Sequence, residues 1–264
     1  MRHILYLSCL LVILFIIILF LYFCPLSKEG FSNISPGVDI KNLKKGQKLM
    51  GNMFKYFDYV CRKNDIKYWA IGGTLIGSMR HKGWIPWDGD IDVGMLKSDY
   101  ERFRIIMKNN IPNNIVFEHR PRNKGCSKLR LLNAHYIPSS FGFHWDDDDG
   151  LQLDIFVFDS DGVEIYGNRP VCGQPDAHKR PYSDIFPLQE LLFEDILIYV
   201  PNQYENISAA VWGGSPAPML PLKDRYPHEG NIVCNHVTQK MKNKYKLSDD
   251  KRYRGVITEY GQVI

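Results

Sequence analysis

Asp88, Asp90 and Asp92 occupy alternate positions in the segment at residues 85–95, which reads IPWDGDIDVGM. Alternate side chains of a β-strand point to one face, so the spacing predicts three carboxylates on one side of a strand. Like charges this close repel one another, and we expect the repulsion to push a proton onto one of the three groups. A divalent cation resolves this repulsion, because a bound dication favours the ionised carboxylates.

Two other interpretations fit this segment less well. An exposed acidic loop is disfavoured because Trp87 and apolar residues interleave with the aspartates. An EF-hand calcium loop requires glycine at its sixth position and glutamate at its twelfth, where a count from Asp88 gives Val93 and Asp99. We therefore expect Mg²⁺ (or Mn²⁺), bound through one or two carboxylates together with water and substrate phosphate oxygens.

Asp154 lies within the most apolar run of the soluble part, LQLDIFVF at residues 151–158. A lone carboxylate in such a strand is costly unless it is paired or metal-bound. A salt bridge to Lys128 or Arg130 is one explanation, and completion of a metal-binding face is the explanation that we favour. The predicted metal ligands are Asp88, Asp90, Asp92 and Asp154.

A glycine-rich turn precedes the aspartates. Gly72-Gly73-Thr74 follows a predicted strand and opens a predicted helix, 18 residues before Asp90. The free N–H groups and the positive end of a helix dipole attract phosphate at such a place, and glycine permits close approach of the backbone. The turn therefore predicts a phosphate-binding element.

Basic residues follow this turn within one or two helical turns. They are placed either to clamp a pyrophosphate or to form an exposed basic helix end, and the sequence leaves both open. A pair of basic residues that alternate on a later strand could serve the same purpose. The predicted phosphate- or nucleotide-binding residues are Gly72, Gly73, Thr74, Gly77, Arg80, His81, Lys82, Lys128 and Arg130.

The periodicity of apolar residues predicts the elements that hold these side chains. Apolar positions from Leu43 to Arg62 have helical spacing, interrupted at Gln47, and the chain beyond Gly213 is read as loop. The whole soluble part is expected to form one α+β domain. Further predicted helices are 72–80, 98–110 and 202–212, and the predicted strands are 67–71, 91–95, 115–118, 127–132, 151–158 and 192–200.

Residues 4–23 form an uncharged apolar run of 20 residues, which is long enough to span the ~30 Å hydrocarbon core of a bilayer. We expect an uncleaved single-pass signal-anchor, since a cleaved signal peptide has a shorter apolar region and a small-residue cleavage site. Sequons at Asn33 and Asn206 permit a catalytic domain on the Golgi or ER lumen side, although flanking charges do not decide the orientation. The predicted division is a membrane anchor at 4–24, a stem at 25–41 and a catalytic domain at 42–264.

The remaining composition excludes some classes of function. A net charge of only +4, spread along the chain, does not indicate a nucleic-acid partner. The cysteines include no C-x-x-C pair, so a zinc site at Cys234 and His236 lacks a second pair of ligands, and both disulfides and buried free thiols remain open. The acidic run at residues 146–149 is read mostly as a solvated loop.

Taken together, these motifs resemble the LicD family, which includes fukutin and the fukutin-related protein. The residues that carry the resemblance are GTLIG at 73–77, RHKG at 80–83, IPWDGDID at 85–92, KLR at 128–130 and LDIF at 153–156. The resemblance covers about residues 67–201. Gly89 departs from the family pattern, in which another acidic or bulkier residue is frequent, and the part after residue 201 matches little.

The resemblance implies a nucleotidyltransferase-like fold, with a mixed sheet and packed helices, and a magnesium-dependent phosphotransferase. The donor would be a CDP-activated alcohol such as CDP-choline or CDP-ribitol, the acceptor a glycan or glycoconjugate hydroxyl, and CMP would leave. Gly73 and Thr74 would hold phosphate, and Asp88 would either support the metal ligands from behind or be a supplementary ligand. The catalytic residues implied are Asp90, Asp92 and Asp154.

Two alternatives belong to other classes of function. A metal-dependent glycosyltransferase would use Asp90-Ile91-Asp92 as its Asp-x-Asp motif and would release a nucleoside diphosphate in most cases. A non-catalytic anchored partner would keep the fold without turnover, but the intact set of carboxylates argues against it.

Overall fold

The computed structural model describes residues 34–109, 111–112, 114–120, 126–137, 150–167, 179–234, 236 and 238–245. Within these residues the chain is a mixed α+β structure, as the sequence predicts. The helices are α1 (Ile40–Lys63), α2 (Gly72–Arg80), α3 (Lys97–Asn109), α4 (Tyr182–Ile185), α5 (Tyr204–Trp212) and α6 (Gln239–Tyr245), with a 3₁₀ turn at Leu222–Asp224. The strands are β1 (Trp69–Ala70), β2 (Ile91–Leu96), β3 (Ile115–Glu118), β4 (Ser127–Leu131), β5 (Ala134–Ile137), β6 (Leu151–Ser160), β7 (Glu164–Tyr166), β8 (Arg180–Pro181), β9 (Gln189–Phe193), β10 (Ile196–Val200) and β11 (Asn231–Cys234).

The main sheet has the strand order β1-β2-β6-β4-β3, and β7 extends it by pairing with β6 and β8. β2 and β6 are parallel, whereas the other pairs along this path are antiparallel. A parallel pair requires a long crossover connection, and here the connection includes α3. β2 and β6 lie in the middle of the sheet and are buried along most of their length, which explains why both are nearly continuous apolar runs.

Helix α1 packs on this sheet through a face of large apolar side chains. Phe57 and Tyr68 meet edge to face with ring centroids 4.9 Å apart. Gln47 interrupts the apolar pattern for a reason that the structure makes visible. Its Nε2 donates to the backbone carbonyl oxygens of Asp88 at 3.0 Å and Ile85 at 3.3 Å, so α1 holds the segment that leads into β2.

Most predicted elements are confirmed within a few residues of their bounds, including α1, α2, α3, β2, β3, β4 and β6. The predicted single strand at residues 192–200 is wrong, because this segment belongs to an antiparallel hairpin of β9 and β10. Glu194 has a φ of 57°, which turns the chain between the two strands. Its backbone N–H donates to the carbonyl of Lys82 at 2.8 Å, so contacts distant in sequence stabilise the turn.

The expectation of loop beyond Gly213 is also wrong in part. β11 pairs with β5, and α6 follows it. β5 was not predicted, since its four residues carry no distinctive alternation of apolar and polar types.

The predicted anchor at residues 4–23 and the acidic run at 146–149 lie outside the described residues. Among the helices that the structure does describe, none has both the length and the apolar character needed to cross a bilayer. Of the cysteines in the described ranges, Cys61 and Cys234 are free thiols.

Candidate active site

Two aspartates meet across the parallel pair at the centre of the sheet. Asp92 of β2 is the register partner of Asp154 of β6, so the two side chains point to the same face. Both are nearly buried, at 7% and 5% exposure. The flanking residues Ile91, Val93, Leu153 and Ile155 are buried apolar side chains that fix the two strands in this register.

Asp90 completes a cluster with these two residues. One carboxylate oxygen from each of Asp90, Asp92 and Asp154 lies within 4.8 Å of the others, so the three could hold a metal ion. The oxygen ligands of a bound Mg²⁺ lie about 3 to 4 Å apart, which small side-chain movements would reach from here. The chemistry of an all-oxygen donor set suits hard cations such as Mg²⁺ or Mn²⁺. The residues present therefore fit the expected cation.

Burial and mutual repulsion act together on this cluster. Burial, followed by the neighbouring charges of Glu229 and Asp154, raises the pKa of Asp90 well above its ordinary value. Burial and then the charge of Asp90 have the same effect on the pKa of Asp92. The ionised forms are disfavoured in the metal-free protein, and a cation bound here would reverse that preference.

The ammonium group of Lys128 on β4 contacts the carboxylate cluster. Its Nζ donates to both carboxylate oxygens of Asp154, at 2.8 and 2.9 Å, and to Oε1 of Gln152 at 2.8 Å. Burial opposes the charged ammonium, but Asp154 outweighs it and raises the pKa of Lys128. The salt bridge considered from the sequence is therefore present with Lys128, and Asp154 also belongs to the carboxylate cluster.

Arg130, two residues further along β4, forms its ion pair with Glu118 and not with an aspartate of the cluster. Its guanidinium is fully buried, and its Nε donates to Oε2 of Glu118 at 2.7 Å. Its Nη1 reaches the carbonyl of Gly150 and Oε1 of Gln152, both at 3.4 Å. The structure thus brings Lys128 to the carboxylate cluster and engages Arg130 with a different acidic residue.

Asp88 lies outside the three-carboxylate cluster. β2 begins at Ile91, so the alternation of a strand does not extend back to Asp88. Its Oδ2 would lie 2.4 Å from a Cβ added at Gly73, so its carboxylate packs on the first turn of α2, where the sequence predicts phosphate. Burial, followed by the charge of Asp90, raises the pKa of Asp88 well above its ordinary value.

The glycine-rich turn connects directly to the cluster. Gly72 has a φ of 54°, a conformation that glycine adopts without strain, and it is the first residue of α2. Thr74 is buried, and its Oγ1 accepts a hydrogen bond from the backbone N–H of Asp92 at 2.9 Å. The structure therefore places the predicted phosphate-binding turn beside the aspartates.

The three basic residues that follow the turn have different surroundings and do not form one phosphate clamp. Nη1 of Arg80 donates to the carbonyls of Ala217 at 2.8 Å and Pro218 at 3.2 Å, and its Nε donates to Nε2 of His81 at 2.8 Å. Burial, followed by the charge of Arg80, lowers the pKa of His81 to about 4, so His81 is neutral at pH 7. Lys82 is exposed.

Gly77 is required for close packing. A Cβ at this position would lie 2.4 Å from the carbonyl oxygen of Gly83. The residue therefore lets α2 approach the loop that leads to the aspartates.

Sequence reasoning missed Glu229, which precedes β11 by two residues. Its Oε2 is buried, and no donor in the described part of the chain reaches it. Burial, followed by the charge of Asp88, raises the pKa of Glu229 to about 7. No local pattern marks this residue, because it reaches the cluster only through the pairing of β11 with β5.

The sequence model of LicD/FKTN/FKRP, nucleotidyltransferase domain, matches residues 65–203. A lipopolysaccharide cholinephosphotransferase LicD of Haemophilus influenzae is 49% identical over 61 residues, which are 23% of this chain and 23% of the relative. The ribitol 5-phosphate transferase FKRP of Homo sapiens is 40% identical over 172 residues, 60% of this chain and 30% of the relative. An uncharacterized protein, RP689, of Rickettsia prowazekii is 32% identical over 124 residues, 40% of this chain and 44% of the relative.

This chain thus spans less than half the length of each of these relatives. The family match nevertheless covers more than half of the 264 residues and contains the glycine-rich turn and the three clustered aspartates. The chain therefore belongs to the LicD family.

Proposed function

We propose that this chain is a divalent-cation-dependent phosphotransferase that moves a phospho-alcohol from a CDP-activated alcohol to a glycan hydroxyl. The observation that carries the proposal is the register of Asp92 with Asp154, which together with Asp90 forms a cation-sized cluster inside the family match. The similarity to a cholinephosphotransferase and a ribitol 5-phosphate transferase supports a choline phosphate or ribitol phosphate group as cargo.

The reaction would be a displacement at phosphorus. An oxygen–phosphorus bond forms between the glycan hydroxyl and the phosphorus that carries the alcohol, while the bond from that phosphorus to the CMP oxygen breaks. The hydroxyl proton passes to a carboxylate of the cluster, and CMP leaves. A bound Mg²⁺ or Mn²⁺ would supply charge neutralisation at the transferred phosphoryl group.

The chain's own residues would orient the reactants and hold the charges. Asp90, Asp92 and Asp154 would hold the cation, and Lys128 keeps the carboxylate of Asp154 in a fixed orientation. The first turn of α2 lies beside the cluster and would offer backbone N–H groups to the donor's phosphates.

A binding experiment on the 264-residue chain tests this function. Thermal unfolding is followed with CDP-choline, CDP-ribitol or UDP-sugars, with and without Mg²⁺, for the wild type, Asp92→Asn and Asp195→Asn. Asp195 is an exposed aspartate that pairs with Lys55, so Asp195→Asn is the matched control. We expect one CDP-alcohol to raise the melting temperature by several degrees with Mg²⁺, in the wild type and the control but not in Asp92→Asn.

Two other results would overturn the proposal. Stabilisation by a UDP-sugar alone would favour a glycosyltransferase that uses Asp90-Ile91-Asp92. The absence of any response, with Asp92→Asn as stable as the wild type, would favour a non-catalytic partner.

We also propose that residues 4–23 anchor the chain in a membrane with the catalytic domain on the lumen side of the Golgi or ER. The proposal is supported by the length and apolar character of this run. Asn206 of the second sequon is exposed on α5, which is compatible with glycosylation. Retention in membranes after alkaline extraction, with a mass shift on glycosidase treatment that Asn206→Gln reduces, is expected; release into the supernatant would contradict the anchor.

A further inference from the structure

We propose that Glu229 is a fourth cation-binding carboxylate of this site, supplied by the C-terminal segment that the family match does not include. This inference rests on the proposed function, since it assumes a divalent cation at Asp90, Asp92 and Asp154. It assigns a role in the site to a part of the chain in which the sequence shows no motif.

The backbone around Glu229 is fixed on both sides. On one side the N–H of Gly230 donates to the carbonyl of Pro227 at 3.2 Å, which closes a turn around Glu229. Gly230 has a φ of 116°, and a Cβ there would lie 2.3 Å from the carbonyl oxygen of Ile137. On the other side Asn231 begins β11 in register with Ile137 of β5. The turn therefore holds the glutamate at a defined place at the end of a strand.

Gly89 is the residue that admits the side chain of Glu229 to the site. A Cβ at Gly89 would lie 2.7 Å from Oε2 of Glu229 and 3.3 Å from Cβ of Pro227. The carbonyl of Gly89 accepts a hydrogen bond from the hydroxyl of Tyr136 on β5 at 2.6 Å. β5 therefore contacts both Gly89, through Tyr136, and the strand that follows Glu229.

In the metal-free protein, within the described residues, the carboxylate of Glu229 is partnered only by its own backbone N–H and by one carboxyl group of the cluster, so one of these two acids must hold a proton. Its Oε2 is buried without a donor among the described residues, and its carboxylate interacts unfavourably with those of Asp88 and Asp154. Lys128, the ammonium at the cluster, donates instead to Asp154 and Gln152. A buried acid beside other acids is costly unless protons or a cation join them, and a bound cation would let all of them ionise together.

The test measures binding of Mn²⁺ to the 264-residue chain by isothermal titration calorimetry and by electron paramagnetic resonance of the free ion. Glu229→Gln keeps the size of the side chain and removes its charge, and Glu205→Gln changes an exposed glutamate on α5 as the control. We expect Glu229→Gln to weaken Mn²⁺ binding about 10- to 100-fold. We also expect its metal-free melting temperature to be equal to or above that of the wild type, because a like charge has been removed.

A second pair of variants tests the same contact from the other side. Gly89→Ala should displace the glutamate and weaken Mn²⁺ binding, whereas Gly89→Ala in a Glu229→Ala background should change the affinity no further. If the two substitutions weaken Mn²⁺ binding independently, so that their fold-changes multiply in the double variant, the proposal is wrong. A wild-type Mn²⁺ affinity in Glu229→Gln would also overturn it.

The failure of this inference differs from that of the proposed function. If Asp92→Asn loses Mn²⁺ and Glu229→Gln binds it normally, the inference about Glu229 alone is wrong. If the wild type binds no divalent cation, the cation dependence in the proposed function is wrong as well.

Discussion

The side-chain hydroxyl of Thr74 accepts a hydrogen bond from the backbone N–H of Asp92 at 2.9 Å. The carbonyl of Asp92 accepts a second hydrogen bond, from the N–H of Ile71 at 3.2 Å. Both peptide groups of the residue that carries the central carboxylate are thus bound to the chain around the start of α2. These two hydrogen bonds therefore fix the glycine-rich turn and the aspartate cluster relative to each other.

Thr74→Val tests this connection, since valine has the shape of threonine but no hydroxyl. The buried N–H of Asp92 would lose its acceptor, so we expect the free energy of unfolding to fall by about 1–3 kcal/mol. Donor-dependent thermal stabilisation should fall too, because β2 would no longer be held against α2. Urea unfolding and the donor assay measure the two effects, and Thr74→Ser, which restores the hydroxyl, should recover both. A Thr74→Ser variant as impaired as Thr74→Val would contradict the role of the hydrogen bond.

Lys128→Met tests the ion pair with Asp154, in which both side chains are only 7% exposed. Removal of the ammonium leaves a buried carboxylate unpaired, and we expect the metal-free protein to lose about 3 kcal/mol of stability. Added MgCl₂ should then raise the melting temperature more than in the wild type, because Asp154 is no longer shared with an ammonium.

Lys55→Met is the control for this substitution. Lys55 pairs with Asp195, whose side chain is 62% exposed, so the cost should be within about 1 kcal/mol, with a wild-type response to MgCl₂. A smaller MgCl₂ response in Lys128→Met than in the wild type would show that the ammonium assists cation binding instead of competing with it.

Glu118 is expected to make stability depend on pH. Its carboxylate contacts Arg130 at 2.7 Å, Lys244 at 2.8 Å and Arg120 at 3.2 Å. Burial opposes ionisation, but these cations, Arg130 foremost, lower the pKa of Glu118 from 4.5 to about 2. A lowered pKa in the folded state stabilises the protein fully above the unfolded value of 4.5, and this stabilisation is lost as the pH falls through about 2.

Glu118→Gln should therefore be less stable than the wild type by about 3 kcal/mol at pH 7, because the buried guanidinium of Arg130 loses the carboxylate of Glu118. The difference between the two proteins should shrink as the pH falls below 4.5. Urea unfolding at a series of pH values measures this gap. A gap that stays constant from pH 7 to pH 2 would exclude Glu118 as the titrating group.

The sequence predicts the centre of the sheet and the three clustered aspartates because local patterns encode them. β2 and β6 are apolar runs interrupted by Asp92 and Asp154. A carboxylate in an apolar strand indicates an ion pair or a bound metal, because it is costly without one. Gln47 gave a similar signal, as one polar residue on the buried face of α1. Its amide is used for the carbonyls before β2, which no rule of helix periodicity reveals.

Features that arise from contacts distant in sequence were not predicted. Glu194 lies in a turn without glycine or proline, and its position depends on the carbonyl of Lys82 and on the N–H of Trp84, which donates to its Oε1 at 3.1 Å. Glu229 is a lone acid in a loop that only strand pairing brings to the cluster. Arg130 and Lys128 alternate on β4, but the sequence could not distinguish which of the two reaches Asp154.

The pairing of β5 with β11 has a consequence for synthesis of the protein on the ribosome. Ala134 pairs with Cys234, so β5 leaves the ribosome about 100 residues, or about 5–20 s, before its partner. During this interval the aspartates of β2 and β6 are already synthesised, while β5 has an unpaired edge that can bind other nascent chains. Translation of β11 therefore ends a period in which β5 is vulnerable to aggregation, and slow codons between the two strands would lengthen it.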